Sequence, residues 1–248
     1  MKIDLNGNMD FIATLKEESE SIGIALDECA LLKFQKYKDL LLEWNQKMNL
    51  TAITDEYQIL MKHFIDCLEI TKYIKKGEKV IDVGTGAGFP GIVIAIFFNS
   101  NVEITLLDSL NKRLLFLEEV IKKLDLKNVK IVHGRAEEVA RNAEYREQYD
   151  VVVSRAVANL HVLLEYDIGY AKINGRLLLM KSGNVEEEIK LATKAMSVLK
   201  CKVVKKYEYK YVVNKEEYTR CILEIMKKEK TLEKYPRNYG QITKKPLL

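Results

Sequence analysis

The run KVIDVGTGAGFPGI, residues 79–92, constrains this chain more than any other stretch. Val80, Ile81 and Val83 form the short apolar core of a buried parallel strand, and Gly84, Gly86 and Gly88 follow as a turn without side-chain bulk. An apolar segment beginning after Pro90 then reads as a helix. A strand running into a glycine turn and a helix is how an open α/β sheet holds a nucleotide-like ligand. Asp108 ends a second strand, VEITLLD, twenty residues beyond Gly88, where an acid can take two ribose hydroxyls.

Glycine spacing separates two ligands. A dinucleotide fingerprint has its third glycine three positions after its second, and that position here is Phe89. The glycines instead alternate, and Asp82 stands two residues before the first of them. A carboxylate there repels a pyrophosphate but suits the ammonium of the methionyl group of S-adenosylmethionine. A nicotinamide-dependent dehydrogenase is therefore the weakest reading.

A chain of 248 residues with 48% hydrophobic content can bury a full core. Acids among the first ten residues and the absence of any ~20-residue apolar run argue for a soluble, untargeted, cytoplasmic protein. Cys29, Cys67, Cys201 and Cys221 have no metal-ligand spacing with one another or with His63, His133 and His161, so no metal is expected and four buried thiols are. Charge is uneven: residues 1–32 hold two lysines against seven acids, whereas residues 227–248 carry six lysines and one arginine against two glutamates. Such a tail, with Tyr235 and Tyr239 interleaved, reads either as an RNA-binding arm or as a solvated surface.

Three segments follow from periodicity. Residues 1–76 form an N-terminal helical extension. Phe34, Tyr37, Leu41, Trp44 and Met48 lie on one helix face, Asn49 terminates that helix, and Thr54 caps a second helix running to Ile74. Residues 77–228 alternate strand and helix. Strands are predicted at 79–83, 102–107, 129–133, 150–154, 175–181, 201–212 and 219–227, with helices at 90–98, 111–124, 137–143, 159–171 and 185–199. Five parallel strands followed by an antiparallel hairpin turning at Asn214 make a seven-stranded, mostly parallel sheet. This is a Rossmann-like class I methyltransferase fold rather than an all-parallel dinucleotide domain. Residues 229–248 are the basic tail.

Ligands in such sheets sit beyond the carboxyl ends of the strands. The candidates are therefore Gly84 to Phe89, Asp108 and Ser109, Ala136 and Glu137, Ser154 and Arg155, and Lys181 with Ser182. Glu137 either faces adenine or caps a helix. Arg155 offers donors to a guanine edge or a phosphate, or pairs only with an acid such as Asp66 or Glu137. His63 and Asp66 either orient Arg155 or belong to the core. Lys181 is a phosphate contact or a plain surface lysine.

Several segments together resemble the bacterial RsmG (GidB) family: NLTAIT at 49–54, HFIDC at 63–67, DVGTGAGFPG at 82–91, LLDSLNKR at 106–113, GRAEE at 134–138, SRAV at 154–157 and the tail YPRNYGQITKKPL from Tyr235. The resemblance covers nearly the whole chain. It implies transfer of a methyl group from S-adenosylmethionine to N7 of a guanine in small-subunit ribosomal RNA, yielding S-adenosylhomocysteine. It also implies that Gly84 and Phe89 border the cofactor, that Ala136 and Glu137 contact its adenosine end, and that Arg155 lies at the site. Asp82, Gly86, Gly88, Asp108 and Ser109 complete the expected cofactor set, and Arg155, His63 and Asp66 the expected catalytic set. Asn49, Lys181, Arg237, Lys244 and Lys245 are the expected contacts to ribosomal RNA or the ribosomal subunit, made by a monomer. Methylation of a small molecule or protein, or SAM and RNA binding without turnover, are the rival functions on this fold.

Overall fold

The computed structural model describes residues 2, 3, 7 and 9–248; Asp4, one of the early acids, lies outside the described residues. Two helices open the chain, α1 (Phe11–Ser21) and α2 (Glu28–Met48), each capped by an aspartate, Asp10 and Asp27, whose side chain accepts an N–H three residues on. Phe34, Tyr37 and Leu41 of the predicted stripe are fully buried, and Trp44 packs on their cluster. Asn49 ends α2 in the left-handed conformation, φ 47°, as its terminator role requires.

The next helix departs from expectation. Its cap is Asp55 rather than Thr54, because the Asp55 carboxylate accepts from the Gln58 N–H at 2.9 Å. It is also not uniform: α3 (Glu56–Ile59) passes into a π segment (Leu60–Ile65), then α4 (Asp66–Leu68) and a 3-10 turn (Glu69–Tyr73). The π turn carries His63, and Asp66 follows it directly.

β1 (Lys79–Val83), α5 (Gly91–Phe98), β2 (Glu103–Asp108), α6 (Asn111–Leu124), β3 (Val129–His133), α7 (Ala136–Val139), β4 (Tyr149–Arg155), α8 (Leu160–Asp167) and β5 (Ala171–Ser182) build the parallel half of the sheet. After α9 (Val185–Leu191) and α10 (Thr193–Val198) come β6 (Cys201–Val213) and β7 (Glu216–Lys227), and α11 (Tyr239–Lys244) lies in the tail. The strand order is β3-β2-β1-β4-β5-β7-β6, with β7 antiparallel to both neighbours, as the sequence predicts. Asn214 and Lys215, at φ 51° and 69°, form the two-residue hairpin turn.

Three predicted helices are shorter. The segment 137–143 ends at Val139, 159–171 ends at Asp167, and 185–199 is divided at Ala192. β5 accordingly starts early, at Ala171, and its register against β4 shifts between Tyr149 and Val151 around Asn174, φ 63°, and Gly175. Cys29 is exposed, so the thiols buried are Cys67, Cys201 and Cys221. Among the described residues no helix is long and apolar enough to cross a membrane.

Alternation along the strands gives the sheet two apolar faces. Val80, Ile104, Leu106, Val151 and Val153 pack with α1, α2, α5, α6 and the π turn. Ile81, Val83, Leu107 and Val152 pack with α8, α10 and the tail residues Tyr235 and Leu247. α5 crosses β1 and β2 so closely that a Cβ on Gly91 would fall 2.3 Å from the Leu106 side chain. Gly91→Ala is therefore expected to lower the free energy of unfolding by about 3 kcal/mol. Urea denaturation checks this, and a wild-type midpoint would contradict such close packing.

Candidate active site

The turn after β1 is held from three sides. Asp82 lies fully buried beneath it: Oδ2 accepts from the Thr85 hydroxyl at 2.7 Å and the Gly91 N–H at 2.8 Å, while Oδ1 has no partner among the described residues. Burial pushes this carboxyl up to about 7, against the opposing effect of its two donors. Asp108 accepts from the Gly86 N–H at 2.9 Å, the Leu110 N–H at 2.9 Å and Arg113 at 3.2 Å. From the helical layer, the Tyr37 hydroxyl donates to the Ala87 carbonyl at 2.6 Å. Gly88, at φ 101°, admits no side chain, since a Cβ would lie 2.6 Å from Ile92 and 2.8 Å from the Tyr37 hydroxyl.

Asp82 and Gly88 both take part in this packing. Asp82 is engaged inside the loop through Oδ2 and is not among the residues lining the two cavities beside it. Gly88 likewise faces Tyr37, Ile92 and Leu117. Both shape the loop from beneath.

Two cavities flank the loop. One of about 490 Å³ is lined by Gly84, Gly86 and Phe89 on one side and by His63, Asp66, Arg155 and Tyr209 on the other. A second, of about 300 Å³, is lined by Asp108, Ser109, Ala136 and Glu137. Gly84, Arg113 and Ala156 border both, so the two are lobes of one cleft at the carboxyl ends of β1, β2, β3 and β4.

Arg155, the last residue of β4, organises the larger lobe. Its Nη1 donates to the Lys62 carbonyl at 3.0 Å and to Asp66 Oδ2 at 3.1 Å, its Nη2 donates to His63 Nδ1 at 3.2 Å, and its guanidinium lies 5.0 Å from the Phe89 ring centre. His63 stacks on the same ring at 4.5 Å. Because Nδ1 accepts from Arg155, the network assigns the imidazole proton to Nε2, which donates to Thr51 Oγ1 at 3.0 Å. Burial and the Arg155 charge push His63 down to about 3, so it is a neutral imidazole at ordinary pH. Asp66 Oδ1 accepts from the Tyr209 hydroxyl at 2.8 Å. Burial and the Asp66 charge push the Tyr209 phenol up, so it remains a donor.

The family described as "GidB: rRNA small subunit methyltransferase G" matches residues 30–217. Ribosomal RNA small subunit methyltransferase G of Clostridium perfringens (strain 13 / Type A) is 46% identical over 243 residues, covering 96% of this chain and 100% of its own. The protein of that name from Acetivibrio thermocellus is 47% identical over 234 residues, covering 94% of this chain and 95% of its own. The chain belongs to this family. A SAM-dependent methyltransferase from Aquifex aeolicus matches the fold at 19% identity and TM-score 0.52, over 72% of this chain and 97% of its own. M. jannaschii TYW2, solved in complex with AdoMet, matches at 17% identity and TM-score 0.51, over 66% of this chain and 77% of its own.

S-adenosylmethionine is the cofactor of this family, and the cleft fits it on its own evidence. Glu137 is 5% exposed, yet its Oε1 has no hydrogen-bond partner among the described residues, which leaves a buried acceptor for a ligand donor. A Cβ on Gly84 would lie 2.9 Å from the Val157 side chain and fill the junction of the two lobes. Glu137 is not the helix cap, because Arg135 occupies that position and Glu137 belongs to the first turn.

The residues expected to meet RNA divide. Asn49, Lys244 and Lys245 are exposed. Lys181 is not a plain surface lysine: it lines the larger lobe, its side chain is 8% exposed, and it pairs with Glu188 at 2.6 Å and the Ala158 carbonyl at 3.0 Å. Arg237 is engaged within the fold, where Nε and Nη2 grip the Glu165 carboxylate at 2.8 and 2.7 Å and fasten the tail to α8. Tyr235 is buried rather than offered to a base. Sequence does not mark Thr51 or Tyr209 as site residues, and it marks Tyr37 only as part of the α2 core stripe. Thr51 lies inside the NLTAIT segment, whereas nothing local marks Tyr209 among the alternating residues of β6.

The shifts of His63 and Asp82 act oppositely on stability. His63, lowered on folding, contributes stability above pH 6.5 that is lost as pH falls toward 3. Asp82, raised on folding, contributes stability present below about 4 and lost as pH rises through about 7. Nitrogen-resolved NMR of the His63 ring is expected to keep the neutral Nε2–H pattern between about pH 8 and pH 5. A midpoint near the ordinary 6.5 would contradict the network.

Proposed function

We propose that this chain transfers the methyl group of S-adenosylmethionine to N7 of a guanine in small-subunit ribosomal RNA. The observation that carries the reading is the Arg155 guanidinium, fixed by Asp66, Lys62 and His63 at the wall of the larger lobe beside the glycine loop. The bound cofactor supplies an electrophilic methyl carbon on a sulfonium leaving group. In the smaller lobe, Asp108 and Ser109 hold its ribose, while Ala136 and Glu137 hold its adenine. Gly84, Gly86 and Phe89 border its methionyl half.

Guanine presents two acceptors on one edge, O6 and N7. N7 must keep its lone pair free to attack, so Arg155 donates to O6 or to a phosphate and leaves N7 open. There is no proton on N7 to remove, which fits a site whose histidine is neutral and already committed at both nitrogens, to Arg155 and to Thr51. The task of these residues is orientation, which can supply several of the ~7–11 kcal/mol available from fixing two reactants. Asn49, Lys244 and Lys245 contact RNA phosphates, which makes binding weaken with salt.

Incubation with radiolabelled SAM and small-subunit RNA from a strain lacking the modification is expected to give labelled 7-methylguanosine. Labelling of protein or small molecules without RNA would overturn the reading. Arg155→Met is expected to lower the single-turnover rate about 100-fold. A wild-type rate in that variant would remove Arg155 from the site.

A further inference from the structure

The C-terminal tail reads in sequence as a basic arm, but in the fold it is tied down. Arg146 donates to the carbonyls of Thr231, Leu232 and Tyr235, and Arg141 donates to that of Pro236. Arg237 is paired with Glu165, whose side chain is 1% exposed. These anchors bring Tyr239, the first residue of α11, to the rim of the smaller lobe, where it is one of the lining residues.

Tyr239 is 52% exposed although its backbone neighbours are fixed, and one side of its ring faces the Arg135 guanidinium at 5.0 Å. An exposed aromatic ring beside a cavity is an unused stacking surface. The same cavity is lined by Glu137, whose buried Oε1 has no partner among the described residues. A flat aromatic face beside an acceptor that lacks an N–H calls for a flat heterocycle carrying an amino group. Adenine is that group in the cofactor.

We propose that Tyr239 is the outer wall of the adenosine lobe and stacks on the adenine, which makes the C-terminal tail a cofactor-binding element as well as the carrier of Lys244 and Lys245. The proposal rests on the reading of this lobe as the adenosine site. Its consequence is a tail whose order and cofactor occupancy are linked, because a ligand that binds only the docked tail stabilises the docked tail. Arg135 adds a cation on the ring from the protein side and so preorganises the stacking face.

The test is calorimetry with S-adenosylhomocysteine and with 5′-methylthioadenosine, which keeps the adenosine but lacks the amino-acid end, on wild type, Tyr239→Phe and Tyr239→Ala. Wild type is expected to bind both ligands and Tyr239→Phe to match it within about twofold, while Tyr239→Ala loses about 10-fold toward both. Hydrogen exchange on the wild-type chain needs no variant: S-adenosylhomocysteine is expected to slow the amides of residues 239–245. Unchanged affinity of Tyr239→Ala, or tail exchange indifferent to ligand, overturns the proposal while leaving the cofactor reading intact. Failure of wild type to bind S-adenosylhomocysteine overturns the cofactor reading itself, and the role of Tyr239 with it.

Discussion

The buried pairing of Arg155 with Asp66 is the contact on which the site depends. β4 ends there, and a guanidinium at that point has left most of its water behind. The desolvation is offset only because Asp66, the Lys62 carbonyl and His63 Nδ1 converge on it while Phe89 lies under its face. All three acceptors come from one stretch of the N-terminal layer, residues 62–66, so this pairing couples that layer to the sheet. Removing one partner of such a buried pair costs about 3–5 kcal/mol, because the other charge is left stranded. The π turn at Leu60–Ile65 carries two of the acceptors, in keeping with the concentration of such turns at functional sites.

Preorganisation extends from this pair into the glycine loop. Asp82 from below, Asp108 from β2 and Tyr37 from α2 each bond a different part of the turn, so its shape is set before any ligand arrives. Phe89 joins the two systems, touching Tyr37 on one side and His63 on another. A rate enhancement that comes from orientation needs this kind of rigidity, since small displacements of the reacting atoms are costly.

Features written in local sequence were legible: the apolar runs of β1 and β4, the alternating glycines, the exact bounds of α6 and the Asn214 hairpin all follow from neighbours in the chain. Helix ends were less so. Helices α7 and α8 stop early because the chain must turn back into the sheet, which periodicity within a segment does not record. Long-range partners account for the rest. Lys181 and Arg237 are ordinary basic residues in sequence, and only folding brings Glu188 and Glu165 to them. Asp82 illustrates the same limit at short range. Its position two residues before the glycines was legible, but its burial under the loop depends on how tightly α5 crosses the strands through Gly91.

A double-mutant cycle in single-turnover methyl transfer to small-subunit RNA, using Asp66→Asn, Arg155→Met and the two together, probes this coupling most directly. If Asp66 acts by fixing Arg155, the double variant loses no more than Arg155→Met alone, and the coupling energy approaches the full effect of Asp66→Asn. Losses that simply add would contradict a site organised around that pair.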